Sequence, residues 1–152
     1  ANTRTPGRPA TMEAGLMSTI LANIQVHPGK ETQFEEVMAY MYEQTHGHEE
    51  GIVRYEYWRG RRPGNYYCLL SFEDSLAFWR HQASDHHEGQ MARFAECIAE
   101  LDLETVDPVA QASPLHPTRA QTVPEGESDL VKTQAAEFPI ELEKWWLALR
   151  EA

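Results

Sequence analysis

The sequence predicts an α+β domain of the ferredoxin-like, split βαβ type, with element order β-α-β-β-α-β. Three observations lead there. The stretch "STILANIQV" (18–26) alternates apolar and polar residues, the signature of a half-buried strand. Two β-rich runs, "IVRYEYWRG" and "NYYCLLSFE", are joined by "RRPG" and read as a hairpin. Stretches with helical spacing follow the first strand and the hairpin, so helices bridge the strands and cover one face of an antiparallel sheet.

Along the first strand, Ile20, Ala22, Ile24 and Val26 share one face, and Thr19, Leu21, Asn23 and Gln25 the other. Pro28 and Gly29 end it. Phe34, Val37, Met38, Met41 and Thr45 then follow helical spacing, which predicts a helix over about 30–44. Gly47 and Gly51 break the chain before the hairpin, and "HGH" at 46–48 reads as a solvated turn. "DSLAFWRHQA" is a short helix capped by Asp74 or Ser75. Ser84 and Asp85 cap the next helix, with Met91, Phe94, Ala95 and Ile98 as its stripe, and "LDLETV" is the last strand.

Residues 1–17 read as a flexible segment outside the fold, lacking an apolar signal core and an initiator Met. The domain covers 18–107. Residues 108–136 read as a linker, rich in Pro, Ser, Thr, Ala and Gln. Over 137–152, "EFPIELEKWWLALR" puts Phe138, Leu142, Trp145, Trp146 and Leu149 on one face of an amphipathic helix that should dock on the domain or across a dimer.

Composition limits the function classes. The net charge is −11, and the only basic cluster is Arg59, Arg61 and Arg62, so no nucleic-acid partner is expected. No apolar run approaches the roughly 20 residues of a membrane span, so no membrane partner is expected. Cys68 and Cys97 read as buried thiols of a reducing compartment, with the cytoplasm as the expected location. The sheet face away from the helices carries Leu21, Ile52, Trp58 and Leu69 among Asn23, Arg54 and Glu56. Packing against the same face of a second copy would cover it, so a homodimer is expected.

The chemistry-bearing stretch is "FWRHQASDHHEG" (78–89), with His81, His86 and His87. As a metal site it lacks a nearby Cys or supporting carboxylate, and His81 and His86 straddle a helix break, so no metal is expected. As a capping joint, its histidines would only hydrogen-bond at the surface. As a proton-transfer site, one of them would be a general base. Leaving Arg54 and Glu56 outside turns Val53, Tyr55 and Tyr57 inward from the second strand, and Tyr66, Cys68, Leu70 and Phe72 from the third. The helices add Phe34, Met38, Trp79, Met91 and Phe94. Such an aromatic pocket suits a planar, partly polar ligand, bound by Phe34, Met38, Tyr66, Leu70, Phe72, Trp79, Met91 and Phe94.

With this layout, residues 18–107 resemble the antibiotic biosynthesis monooxygenase (ABM) family of dimeric α+β barrels. The match rests on "ILANIQVHPGKETQFEEV", on the Glu-x-Gly strand opening in "EEGIVRYEYW", and on "FEDSLAFWRHQASDHH" with its His-x4-His. Where the family often has Glu and Trp on the third strand, this chain has Leu70 and Phe72, a more apolar wall. Where the haem-degrading branch has an Asn, a Trp and a His, this chain has Ala22, His81 and Met91, so haem degradation ranks below oxygenation.

The resemblance implies a cofactor-independent monooxygenase acting on a small phenolic, quinol or anthrone-like aromatic, with dioxygen as co-substrate. Its expected base is His81, His86 or His87, and Tyr55 or Tyr57 hydrogen-bonds the developing oxyanion. An isomerase or decarboxylase on the same fold, and a non-catalytic ligand-binding accessory dimer, stand as alternatives.

Overall fold

The computed structural model describes residues 17–150, so the expected N-terminal segment lies, except for Met17, outside the described residues. The elements run β1 (Ser18–Val26), α1 (Glu31–His48), β2 (Ile52–Arg59), β3 (Asn65–Phe72), α2 (Ser75–Gln82), α3 (Asp85–Cys97), β4 (Ile98–Val106), α4 (Asp129–Glu137) and α5 (Lys144–Arg150). One antiparallel sheet has the order β2-β3-β1-β4, the split βαβ arrangement that the sequence predicts. No described helix is long and apolar enough to cross a membrane.

The core lies between the sheet and the helices. Ile20, Ala22, Ile24 and Val26 of β1 are buried against Phe34, Val37, Met38 and Met41 of α1, so the period of two meets the period of 3.6 as expected. The hairpin closes through Gly60 to Gly64, and Gly64 has a φ of +76°. A Cβ there would lie 2.8 Å from the Val26 carbonyl oxygen, so both conformation and space call for glycine.

Four local expectations change. Helix α1 continues through Gly47 to His48 instead of stopping near residue 44. A single glycine near a helix end costs only about 1 kcal/mol, and the histidines on either side of it, His46 and His48, suit the negative end of the helix dipole. A bulge between Ile52 and Arg54 reverses the side-chain parity at the start of β2. Ile52 therefore pairs with Phe72 and packs against the core, while Val53, expected inside, is exposed. Helix α3 gives way directly to β4 at Ile98, so the strand starts three residues before its expected beginning at Leu101.

The fourth change is the C-terminal segment. Helix α4 occupies the end of the expected linker, capped by Ser128, whose Oγ accepts from the Val131 N–H at 3.2 Å. The single amphipathic helix expected over 137–152 is absent among the described residues, because Pro139 lacks an N–H and disfavours helical backbone at Phe138. Residues 138–143 run without helix into the short α5. Trp146 is 8% exposed, but Trp145 is 71% and Leu149 65% exposed, so they do not share its buried face.

Candidate functional site

The α2–α3 joint is built by capping. Asp74 caps α2 by accepting from the Ala77 N–H at 2.7 Å. Ser84 caps α3: its Oγ accepts from the His87 N–H at 3.3 Å and donates to the His81 carbonyl at 2.7 Å. A serine therefore does the capping, which leaves the three imidazoles free for other contacts.

Two of these imidazoles meet on one carboxylate. Glu49 ends α1 in extended conformation, its N–H donating to the Thr45 carbonyl at 3.1 Å. Two residues later Gly51, at a φ of +82°, turns the chain under α2; a Cβ there would sit 3.0 Å from the Ala77 Cβ. This gives the Glu-x-Gly stretch a physical meaning, since the glycine lets the chain pass close to α2 just after the carboxylate. Glu49 Oε2 lies 2.8 Å from His81 Nδ1 and 2.5 Å from His86 Nε2. Burial pushes the Glu49 carboxyl up, but the hydrogen bonds and charges of His81 and His86 outweigh it and hold the carboxyl below its ordinary range. Glu49 is thus an acceptor, and both imidazole nitrogens donate to it.

Above this group lies a cavity of about 120 Å³ between the sheet, α1, α3 and the C-terminal segment. His81, which is 1% exposed, and His87 line it, together with Tyr57, Met38, Leu70, Met91 and Phe94. Met91 of α3, which lines this space, is 39% exposed. Burial, with the nearby His81 adding to it, drives His87 down to about 4, so it is neutral near pH 7. Tyr55 lies beside the cavity, its OH 2.8 Å from the Tyr57 OH. Burial pushes both phenols up, so they remain neutral hydrogen-bond donors. Burial also pushes the Cys68 thiol, which lines the same space, up to about 12.

The other expected pocket residues lie elsewhere. His86 faces Glu49 and Thr45 and does not line the cavity. Phe72 is packed between Phe78 and His81. Trp79 points to the C-terminal segment, its Nε1–H donating to the Phe138 carbonyl at 2.9 Å. Phe34 and Tyr66 line a separate groove at the β2 edge. There the Tyr66 OH donates to Glu35 at 2.6 Å, and Arg59 pairs with the same carboxylate. His46 belongs to the last turn of α1, not to a solvated loop, with Nε2 3.0 Å from the Tyr55 carbonyl oxygen.

Sequence reasoning missed Glu49. The carboxylate that serves the histidines stands 32 positions from His81 and so falls outside their local stretch. Its signal was the Glu-x-Gly stretch. Glu49, His81 and His86 also form the set that could hold a metal ion, with their ligand atoms within 4.8 Å of one another. Their mutual hydrogen bonds already engage these atoms.

A family model described as antibiotic biosynthesis monooxygenase matches residues 17–96. No curated protein matches. Among solved structures, a conserved protein from Methanosarcina mazei is 23% identical with a TM-score of 0.58, over 63% of this chain and 96% of that one. A Caulobacter crescentus protein named for the same family is 22% identical with a TM-score of 0.59, over 66% and 96%. SnoaB of Streptomyces nogalater, named a cofactor-independent oxygenase, is 23% identical with a TM-score of 0.54, over 62% and 97%. At these identities the likeness speaks for the fold.

Proposed function

Because the chain belongs to the antibiotic biosynthesis monooxygenase family, we propose that its cavity oxidises a phenolic or quinol ring with dioxygen, using His81 as base and no bound cofactor. The observation that carries this reading is the Glu49–His81 pair. With Nδ1–H held by the half-buried Glu49 carboxylate, the neutral ring has its lone pair on Nε2, and the ring lines the cavity. The carboxylate also stabilises the imidazolium that forms when Nε2 takes a proton.

Deprotonation by His81 turns a phenol into an electron-rich phenolate. One electron passes to dioxygen, giving a phenoxyl radical and superoxide. Their recombination at a ring carbon bearing hydrogen, with a proton returned from His81, forms a hydroperoxide. Loss of water then leaves a quinone, so a phenol and dioxygen yield a quinone and water. The neutral Tyr57 phenol, backed by Tyr55, can donate to the developing oxyanion. The volume favours one ring: an apolar cavity of about 150 Å³ accepts benzene, so a three-ring anthrone would have to displace α3 or α4.

The test is oxygen consumption with a panel of one-ring phenols and quinols. His81→Ala should reduce it by about 100-fold or more, with circular dichroism showing that the fold remains. Unchanged uptake would remove His81 from the base role. Turnover without oxygen use would assign the same acid/base pocket to isomerisation or decarboxylation.

The same reading includes a homodimer built sheet to sheet. The outer face presents Trp58 at 59% exposure beside Tyr67, with Leu21 and Leu69 half-buried. Covering such a face by a two-fold partner removes an apolar patch from water. Sedimentation should give a dimer at micromolar concentration, and Trp58→Glu should shift it toward monomer. A monomeric parent protein would refute the arrangement.

A further inference from the structure

Glu49 closes α1, His81 lies in α2 and His86 in the first turn of α3, yet their ligating atoms come within 4.8 Å of one another. Among the described residues they are the one group of His, Cys, Asp and Glu side chains that could enclose an ion. His81 Nδ1 and His86 Nε2 approach the same oxygen, Glu49 Oε2, to 2.8 and 2.5 Å. The Thr45 hydroxyl lies 3.5 Å from His86 Nε2. Two ring nitrogens and a carboxylate oxygen thus meet at one small volume.

The two N–H groups in that volume are exchangeable. Each neutral imidazole can carry its proton on its other nitrogen, which frees both lone pairs for a cation. Two imidazoles and a carboxylate suit zinc and the neighbouring divalent transition ions, whereas magnesium and calcium take sets of oxygens. Zinc holds such ligands at about 2.0–2.2 Å, so its donor atoms stand roughly 3.3–3.5 Å apart in a tetrahedron. From 2.8 and 2.5 Å, the Glu49 oxygen has to withdraw by no more than about 1 Å to reach that spacing. Glu49 and His86 keep 12% and 11% of their side chains exposed, which gives an ion a way in. The charge of −11 draws cations to the chain.

We propose that Glu49, His81 and His86 form a binding site for one divalent transition-metal ion of the zinc class, and that the bound ion switches off the His81 base. An ion on Nδ1 leaves the ring's proton on Nε2, where a base needs its lone pair. The imidazole then lines the cavity as a donor. Binding rests on the geometry of the three side chains alone; the effect on turnover rests on the proposed function.

Calorimetric titration of the full chain with zinc chloride, and with magnesium chloride as control, tests the site. One zinc ion should bind per chain with a micromolar or lower Kd and raise the melting temperature. Magnesium should do neither. Glu49→Gln and His86→Ala should each weaken zinc binding by more than about 100-fold, beyond the 10–100-fold cost of losing an outer-shell partner, with circular dichroism recording the fold. The double variant His46→Gln/His48→Gln, at exposed positions of α1, should bind zinc as the parent does. Absence of binding, equal binding of magnesium, or loss in the double variant with retention in the other two would overturn the site. Oxygen uptake with a phenol that the parent turns over should fall as the site fills and return when EDTA is added. Zinc bound at the site with uptake unchanged would overturn the switch, and with it His81 as base. No zinc binding beside uptake that depends on His81 would overturn the site and leave the proposed function standing.

Discussion

Strand β1 and helix α5 bury themselves in different ways. The four apolar inward residues of β1, Ile20, Ala22, Ile24 and Val26, are all buried in one cluster with residues of α1 and β3. In α5, Trp146 is the buried residue, and much of the hold comes from polar contacts. Arg150 pairs with Asp107, donates to the Thr118 carbonyl and stacks 4.9 Å from the Trp146 ring. The stretch between follows the second pattern. Thr118 is fully buried, its Oγ1 donating to the Val106 carbonyl at 2.6 Å and its N–H to Asp107 at 3.0 Å. The Arg119 carbonyl accepts from both Ser18 and Ser75. The domain is held by repeated apolar faces; the C-terminal segment adds a few separate apolar side chains to that core, such as Val131 and Ile140, and is otherwise tied by side-chain bonds to backbone.

A graded series of substitutions, read by urea denaturation, would sharpen or break this contrast. Phe72→Ala, in the closed core, should cost about 3–5 kcal/mol. Trp146→Ala should cost about 1.5–3 kcal/mol, the range for taking one large apolar side chain out of burial. Trp145→Ala should stay within about 0.5 kcal/mol, as surface substitutions do. Equal effects at the two tryptophans would mean that α5 docks through a broad apolar face after all.

A smaller effect separates the site from both regions. In the unfolded chain His87 takes a proton near its ordinary 6.5, and in the folded protein only near 4. Between those values the unfolded state binds more protons, so stability should fall as pH drops from about 6.5 toward 4. The charges of His81, Glu49 and His86 all bear on the His87 proton. The lowered Glu49 carboxyl contributes stability above its unfolded pKa, which is lost as pH falls through its folded value. Thermal melts across this range should show His87→Gln with a flatter limb than the parent protein between pH 6.5 and 4. An identical limb would mean that His87 titrates normally.

The contrast also explains what could be read from the sequence. Periodicity in β1 and α1, and the hairpin turn at Gly64, carried the fold, because burial there obeys repeats of 2 and 3.6. Val53 was misplaced because a bulge inserts one residue without any compositional mark. Pro139 was the signal that should have split the C-terminal helix, and Ser128 with Asp129 the one that should have started α4. In the site, His81, His87, Tyr57, Met38, Leu70, Met91 and Phe94 could be read from inward spacing. Glu49 and Gln134 could not, since each reaches the site from an element distant in sequence from the histidines.

The state of Cys68 has a chemical consequence of its own. Quinones add readily to thiolates, and peroxides oxidise thiolates to sulfenic acid, so a sulfur in contact with such species is at risk in proportion to its ionised fraction. With the thiol pushed up to about 12 by burial, the sulfur stays protonated at pH 7. Burial thus makes this sulfur a spectator, an apolar part of the wall that an electrophile can touch without forming a bond.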